Sequence, residues 1–279
     1  MQDDQTFFVR IGRMQKVQKR RAIAGPMVAA SLCWGVHSHA LAACAAVASS
    51  DIAEVASVVD ARTLRLSDGR DIRLAGIEPA GGEADRDRSR NVLAALGSGR
   101  AVVIHILDDA PDRYGRQAAL VLIAAEGPSL QTQLVRAGAA LASPFALPSD
   151  CLKDLLAAED EAKRARRGIW ATAALKNAER SDDILARNGQ FTVIEGRVAS
   201  VRQSGTITYL NFGRRRADNL AATIPRQIAA SMADMGVSPQ TLAGRHVEVR
   251  GWVQTQGGRP RIAISHAGQI RMAPAAGQH

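Results

Sequence analysis

The stretch Asp112-Arg113-Tyr114-Gly115-Arg116, followed by an apolar run over residues 117–124, decides the fold of the first half of the chain. About forty residues earlier stands a second stretch, Arg73-Leu74-Ala75-Gly76-Ile77-Glu78-Pro79. Each stretch places an arginine at the start or end of a β-like run, where two guanidinium groups could converge on one phosphate. Gly115 predicts a tight turn that aims Arg116. Together the two stretches indicate phosphodiester chemistry, or a site descended from it.

Apolar periodicity around these stretches predicts a β-rich domain with three helices. Residues 52–77 alternate in β fashion and are interrupted by a hairpin turn at Ser67-Asp68-Gly69-Arg70. Two short strands are predicted at 101–107 and 116–124. Helical patterns cover 83–96, 129–137 and 152–167. The last of these ends in four cations, which we interpret as a solvated helix end that compensates the helix dipole: Lys163, Arg164, Arg166 and Arg167.

The second half of the chain predicts a separate small barrel. Residues 173–189 are polar, alanine-rich and weakly patterned, which indicates a connection between domains. The pattern then predicts strands at 191–201, 206–212 and 220–224, a helix at 225–235, and strands at 247–254 and 261–265. This order within about 80 residues is typical of a five-stranded barrel of the OB type. We assign that domain to residues 190–272 and a tail to 273–279.

The first 42 residues have the features of an export signal. Lys16, Lys19, Arg20 and Arg21 form a basic region, and residues 22–36 form an apolar stretch too short to span a bilayer comfortably. Ala40-Leu41-Ala42 supplies a small-x-small cleavage pattern. The prediction is a signal peptide and a periplasmic or secreted protein. The alternative is a membrane anchor that stays attached.

Cysteine usage fits export. Cys33 lies in the leader, which leaves Cys44 and Cys151 to form a disulfide. In the loop-entropy model such a bond would constrain the unfolded chain by roughly 4–5 kcal/mol. The rival interpretation is a lipoprotein cleavage box, Leu41-Ala42-Ala43-Cys44, which would make Cys44 a lipid attachment site and the protein membrane-anchored.

The composition of the chain excludes few functions. The chain has 279 residues, and an apolar fraction of 46% argues against disorder. The net charge is +9 with a pI near 10.3, which suggests anionic partners. The first 42 residues contribute six basic and two acidic residues, so the remainder carries only +5. Charge alone is therefore weak evidence for nucleic-acid binding.

Four segments, in order, resemble the staphylococcal-nuclease-like (thermonuclease) domain. They are Val59-Asp60-Ala61-Arg62-Thr63-Leu64, the two arginine stretches, and the run from Glu159 through Gly168-Ile169-Trp170. The resemblance covers residues 52–172 and implies an OB-type five-stranded barrel with added helices, in a domain that we assign to residues 50–172. It also implies a nuclease, that is, a phosphodiester hydrolase that binds nucleic acid.

The resemblance carries site residues with it. In the family two arginines bind the scissile phosphate, and Arg73 and Arg116 stand at those positions, with Tyr114 beside them as a substrate contact. Bidentate donors stabilise the charge that builds on the phosphate oxygens. The family's general-base position meets Ala80-Gly81-Gly82 here, and Glu83 could act as base only if the loop carries a two-residue insertion.

The former metal site departs from the family. The first aspartate of the motif is Asp60, but the metal-ligand position two residues later is Arg62, and the second carboxylate is Glu78. A single positive charge about 4 Å from a divalent ion costs roughly 8 kcal/mol at an effective dielectric of 20. Calcium also needs six to eight oxygen ligands. We therefore expect no metal, and we expect Arg62 to occupy the cation's place and pair with Glu78, with Asp60 as a further acceptor.

Other residues give weaker evidence of a functional site. His105, His246 and His266 are isolated, without metal-ligand spacing. Tyr209, Phe212 and Arg214-Arg215-Arg216 combine aromatic and basic character, which OB barrels can use for nucleic acids. We interpret them instead as one core aromatic, one exposed aromatic and a solvated loop.

Three functions remain open from the sequence. The first is an exported thermonuclease-like protein that binds nucleic acid or another phosphodiester ligand through Arg73 and Arg116, with little or no hydrolysis and no cofactor. The second is an active secreted endonuclease with Glu83 as base, which would use calcium if the site works after all. The third is a periplasmic scaffold whose barrels bind proteins.

Overall fold

The structure is a computed structural model that describes residues 50–108, 110–123, 127–172, 174–213 and 219–273. The predicted signal peptide, Cys44 and the arginine run 214–216 lie outside these residues. Within the described ranges, no helix is both long and apolar enough to cross a membrane.

The first barrel closes in the strand order β1 (Ser50–Asp60), β2 (Thr63–Leu66), β3 (Asp71–Leu74), β6 (Gln117–Leu122) and β5 (Ala101–Ile106). β3 and β6 run parallel, and the other pairs are antiparallel. Inward-facing residues such as Leu64, Ile72 and Ile104 form its core, because alternate positions of each strand face inward. A separate two-stranded sheet joins β4 (Ile77–Glu78) to β7 (Leu141–Ala142).

Three helices accompany this barrel, as the sequence predicts: α1 (Glu83–Gly97), α2 (Leu130–Arg136) and α3 (Ser149–Arg164). Ser129 caps α2, since its hydroxyl accepts a hydrogen bond from the backbone N–H of Thr132. After α3, a short 3-10 helix (Gly168–Ala171) folds back on the end of α2. This return requires glycine, because a Cβ at Gly138 would lie 2.1 Å from the carbonyl oxygen of Arg167.

The second barrel closes in the order β9 (Phe191–Ser204), β10 (Ile207–Phe212), β11 (Ala221–Pro225), β13 (Arg259–Ala263) and β12 (His246–Gln256), with β12 pairing back to β9. Its core includes Ile194, Leu210 and Phe212. Both predicted barrels are thus confirmed. A further strand, β14 (Ile270–Met272), pairs with β12, and α5 (Arg226–Asp234) lies between β11 and β12.

The predicted connection at 173–189 contains structure of its own. β8 (Leu175–Asn177) adds to the second sheet in parallel with β9, and α4 (Ser181–Leu185) buries Ile184 in the second core. Three strand residues and five helical residues are too short to produce a readable period, which is why the sequence shows only a polar segment.

The two barrels share an apolar core. Ala80, Leu141 and Trp170 of the first barrel pack with Phe191 and Val193 of the second. Phe191 also makes edge-on ring contacts with Phe145 and Trp252, at centroid distances of 6.4 and 5.9 Å.

A buried group of charges, the inter-barrel cluster, crosses the same junction. Arg250 on β12 is fully buried and donates to Glu159 of α3 at 2.7 Å and to the Ala142 carbonyl oxygen at 2.7 Å. Arg271 of β14 binds Asp160 of α3 at 2.6 and 2.8 Å. The cluster consists of Glu159, Asp160, Lys163, Glu248, Arg250 and Arg271.

Lys163 corrects one expectation from the sequence. It was expected in a solvated helix end, but its side chain is only 11% exposed and is ion-paired with Glu248 of the second barrel. The helix pattern alone did not show that a second domain would cover this end of α3.

Candidate functional site

Strand pairing brings Arg73 and Arg116 to one face of the first barrel. β3 and β6 run parallel with Arg73 opposite Ala118, so Arg116 precedes that pair by two residues on the same face. Arg62 joins them from the β1–β2 turn, since its carbonyl oxygen accepts a hydrogen bond from Leu74 N–H at 2.8 Å. Three guanidinium groups therefore meet in one place. With their carboxylate partners Asp60, Glu78 and Asp112, we call them the arginine site.

The turn before β6 fixes Arg116. Asp112 Oδ2 accepts from Arg116 Nε and Nη2 at 2.9 and 2.8 Å, and its Oδ1 accepts from the backbone N–H of Tyr114 and Arg116. Gly115 has a φ of +79°, so the left-handed position of the turn falls on glycine. The Arg116 guanidinium, with these backbone donors, lowers the pKa of Asp112 to about 2 despite some desolvation. Arg116 is thus held by a carboxylate that stays ionised.

Tyr114 lies at the outer edge of the arginine site. Its side chain is 64% exposed, and the guanidinium carbons of Arg113 and Arg116 lie 4.7 and 5.0 Å from the ring centroid. Its hydroxyl oxygen accepts from Arg113 Nη2 at 2.6 Å. An exposed ring next to two cations is well placed to contact an incoming ligand.

The expected ion pair between Arg62 and Glu78 is present. Glu78 lies on β4, only 4% exposed, and its carboxylate contacts the Arg62 guanidinium. Asp60 differs from the expectation: its Oδ1 accepts from the backbone N–H of Arg62 at 2.8 Å, while its Oδ2 lies 3.9 Å from Arg116. Asp60 therefore stabilises the turn that carries Arg62 and is ion-paired with a different arginine.

Arg73 is the least satisfied cation of the site. Its Nη2 lies 3.5 Å from Glu78 Oε1, and its side chain is 34% exposed. Burial lowers the pKa of Arg73, and repulsion from Arg62 lowers it further, with only partial compensation from Glu78. An anion placed between Arg73 and Arg116 would offset the repulsion between these positive charges.

A cavity of about 130 Å³ opens beside Arg73. Glu78, Ser143 and Phe145 are among the residues that line it, and the buried Ser143 hydroxyl has no hydrogen-bond partner among the described residues. Sequence reasoning missed Ser143 and Phe145. They follow the two-residue strand β7, and no local motif marks that loop.

The residues present do not fit the metal of the resembling family. Glu78 is already paired with Arg62, and Asp60 is engaged with a backbone N–H and Arg116. Across the part of the chain that the structure describes, no three His, Cys, Asp or Glu side chains are grouped as a metal site would require. Two carboxylates that are already paired supply too few oxygens for calcium, which takes six to eight.

The Glu83 side chain makes no polar contact with the arginines among the described residues. Glu83 is the exposed first residue of α1, and no hydrogen bond or ion pair links its side chain to another described residue. Cys151 is buried at the start of α3, while Cys44 lies outside the described residues, so their disulfide remains a prediction.

The family comparison agrees with this fold. The family model described as "Staphylococcal nuclease homologue" matches residues 73–172. The first barrel is a staphylococcal-nuclease-like domain. The match includes Arg73, Glu78 and Arg116, whereas Asp60 and Arg62 precede it. No curated protein matches the chain.

Proposed function

We propose that this protein is an exported thermonuclease-like protein that binds nucleic acid or another phosphodiester ligand through Arg73 and Arg116, with little or no hydrolysis. The observation that carries the proposal is the Arg62–Glu78 ion pair beside an incompletely paired Arg73. The staphylococcal-nuclease-like domain supports nucleic acid as the ligand class.

Ligand binding follows from the unequal pairing of the arginines. Arg116 is fixed by Asp112, so it can donate its remaining N–H groups without first losing side-chain entropy. Arg73 gains more, because a phosphate would supply the negative charge that Glu78 only partly provides. Tyr114 is exposed beside them and would contact the sugar or base.

Loss of hydrolysis follows from Arg62. Its guanidinium supplies a fixed positive charge next to Glu78, but it cannot hold and ionise a water molecule as a divalent ion does. Glu83, the carboxylate nearest in sequence to the family's base position, has no contact that would orient it as a general base.

Export is part of the same proposal. A basic segment, a short apolar stretch and a small-x-small pattern in residues 1–42 support a signal peptide, and a Cys44–Cys151 disulfide would suit an oxidising compartment.

The test uses a probe about the size of the arginine site: a 5′-phosphorylated thymidine trinucleotide, measured by calorimetry. We expect the Arg73→Ala/Arg116→Ala double variant to bind it on the order of 100-fold more weakly, since charge-assisted hydrogen bonds contribute about 1.5–3 kcal/mol each. The matched control is Arg90→Ala/Arg100→Ala, which removes two exposed arginines of the same domain that form no ion pair with described residues.

A digestion assay accompanies the binding test. Long single-stranded and duplex DNA are incubated with the wild type, with calcium or with a chelator, and we expect no calcium-dependent cleavage. Brisk cleavage that the chelator abolishes would overturn the proposal in favour of an active nuclease. Equal trinucleotide binding by both double variants would remove the arginine site as the ligand site.

A further inference from the structure

The positive charge of this protein is concentrated away from the arginine site. Residues 43–189 contain nineteen Lys/Arg and twenty-one Asp/Glu, a net charge of −2. Residues 190–279 contain eleven Arg and four Asp/Glu, a net charge of +7, and no lysine. A polyanion would therefore be attracted first to the second barrel. Arginine without lysine also favours bidentate and stacked contacts over simple point-charge attraction.

Most of the described arginines of the second barrel form no ion pair. Arg250 and Arg271 belong to the inter-barrel cluster. Within the described part of the chain, six others form no ion pair with an acidic residue: Arg197, Arg202, Arg226, Arg245, Arg259 and Arg261. No acidic residue occurs on β10, β11 or β13, or from Gly196 to the end of β9.

Strand register places three functional groups on one outer face. Tyr209 on β10 lies opposite Arg202 on β9 and Thr223 on β11. Arg261 on β13 lies beside Ala221 of β11. Because Ala221 is small, the Arg261 side chain reaches across β11, and its guanidinium carbon lies 5.6 Å from the Tyr209 ring centroid.

The Arg261 guanidinium is itself incompletely bonded. Its Nε is buried and has no hydrogen-bond partner among the described residues. The Arg261 side chain as a whole is only half-buried and forms no ion pair with a described acidic residue, so its terminal N–H groups stay available to a phosphate. Arg202, directly opposite Tyr209, is exposed and free of ion pairs with described acids.

We propose that this face of the second barrel, formed by Arg202, Tyr209 and Arg261, binds single-stranded nucleic acid. One base stacks on the Tyr209 ring while the two arginines contact the flanking phosphates. The proposal does not depend on the arginine site of the first barrel, because it rests on different residues.

Two other polyanions fit less well. An anionic membrane surface would favour exposed apolar groups among the arginines, but none of the described large exposed apolar side chains lies on β9, β10, β11 or β13. Duplex DNA keeps its bases stacked internally and offers none to Tyr209.

The experiment measures binding of a fluorescent oligothymidylate of about twenty nucleotides by anisotropy, at several salt concentrations around 0.1 M. In the purified protein, Arg202→Ala/Arg261→Ala should weaken binding at least about 10-fold and reduce the salt slope by about 1.4, two single-strand phosphate contacts. Tyr209→Ala should weaken binding about 10-fold, whereas Tyr209→Phe keeps the ring and should stay within about 2-fold. Urea melts establish that each variant is folded.

The outcomes separate the two proposals. Arg90→Ala/Arg100→Ala removes the same charge elsewhere, and if it weakens oligothymidylate binding as much as Arg202→Ala/Arg261→Ala, the face has no specific role. If duplex DNA binds as tightly and Tyr209→Ala changes nothing, base stacking is refuted. The two proposals are separated by their variants: if Arg73→Ala/Arg116→Ala leaves trinucleotide binding unchanged, the arginine site fails, and the effects of Arg202→Ala/Arg261→Ala and Tyr209→Ala on oligothymidylate binding still test this face.

Discussion

The arginine site and the inter-barrel cluster have the same charge composition and opposite character. Each combines three cations with three carboxylates. In the inter-barrel cluster every carboxylate faces at least two donors, and Arg250 is completely buried. In the arginine site, Arg73 Nη2 lies 3.5 Å from Glu78 Oε1, and the Arg73 side chain is one-third exposed.

The difference shows how ionic groups divide between structure and ligand binding. A buried and fully engaged cluster leaves no donor for a ligand, so its role is to hold the barrels together. A partly exposed cluster with an incompletely paired arginine keeps donors available, at little cost to the fold where water still reaches them, as it reaches Arg73. Geometry, rather than charge count, separates the two roles.

The largest effect should come from breaking the buried cluster. Arg250→Met leaves Glu159 and Glu248 buried without their central cation, and removal of one partner from a buried pair costs about 3–5 kcal/mol. Urea denaturation at neutral pH measures the free energy of unfolding. The matched change in the arginine site, Arg73→Met, should cost less than about 1 kcal/mol because that side chain is partly solvated.

Equal losses in these two variants would contradict the distinction between the clusters. A larger loss for Arg73→Met would reverse it and make the arginine site a structural element.

The second effect is a dependence on acid. Burial alone raises the pKa of Glu248, but Arg250, Lys163 and Arg271 outweigh it, so the folded pKa lies well below the ordinary value near 4.5. A depressed folded pKa gives stability that is present above pH 4.5 and is lost as the pH falls toward the folded value. The free energy of unfolding should then fall by up to about 1.4 kcal/mol per pH unit from this group.

Glu248→Gln tests whether Glu248 causes this pH dependence of the free energy of unfolding. The variant should be less stable at pH 7 but lose less stability between about pH 5 and 3, measured by urea denaturation at each pH. Parallel curves for variant and wild type would place the acid sensitivity in other carboxylates.

The smallest expected effect is stabilisation by calcium at the former metal position. Arg62→Asp removes the cation that neutralises Glu78 and adds a carboxylate, so weak calcium binding should appear. With about 10 mM calcium and a dissociation constant near 2 mM, the ion would stabilise the variant by about 1 kcal/mol. Thermal melts with calcium and with magnesium measure it, and Arg62→Ala is the control that removes the cation without adding a ligand. Calcium stabilisation of the wild type would show that Arg62 does not exclude the ion.

Much of this architecture could be predicted because it is local. Turn glycines and alternating apolar residues set the strands of both barrels, and helical periodicity set α1, α2 and α3. The Arg62–Glu78 pair could also be predicted, since both residues belong to short segments that resemble one family.

The inter-barrel cluster could not be predicted, because its partners are far apart in sequence. Glu248 and Arg250 alternate with Val247 and Val249 on β12, which is the ordinary pattern of a strand with one solvated face. Lys163 looked like a helix-end cation for the same reason. Only the docking of the barrels turns these outward positions into buried ones, and no local signal records that docking.

The hydrogen bond from Arg250 to Ala142 has a consequence for anyone who isolates the nuclease-like half. Ala142 belongs to β7, which pairs with the strand that carries Glu78. A fragment truncated at residue 172, where the family match ends, would lose this donor, leave Glu159 uncompensated and uncover the apolar patch around Trp170. Its ligand affinity would then report a damaged protein, so the arginine site should be assayed in the full chain.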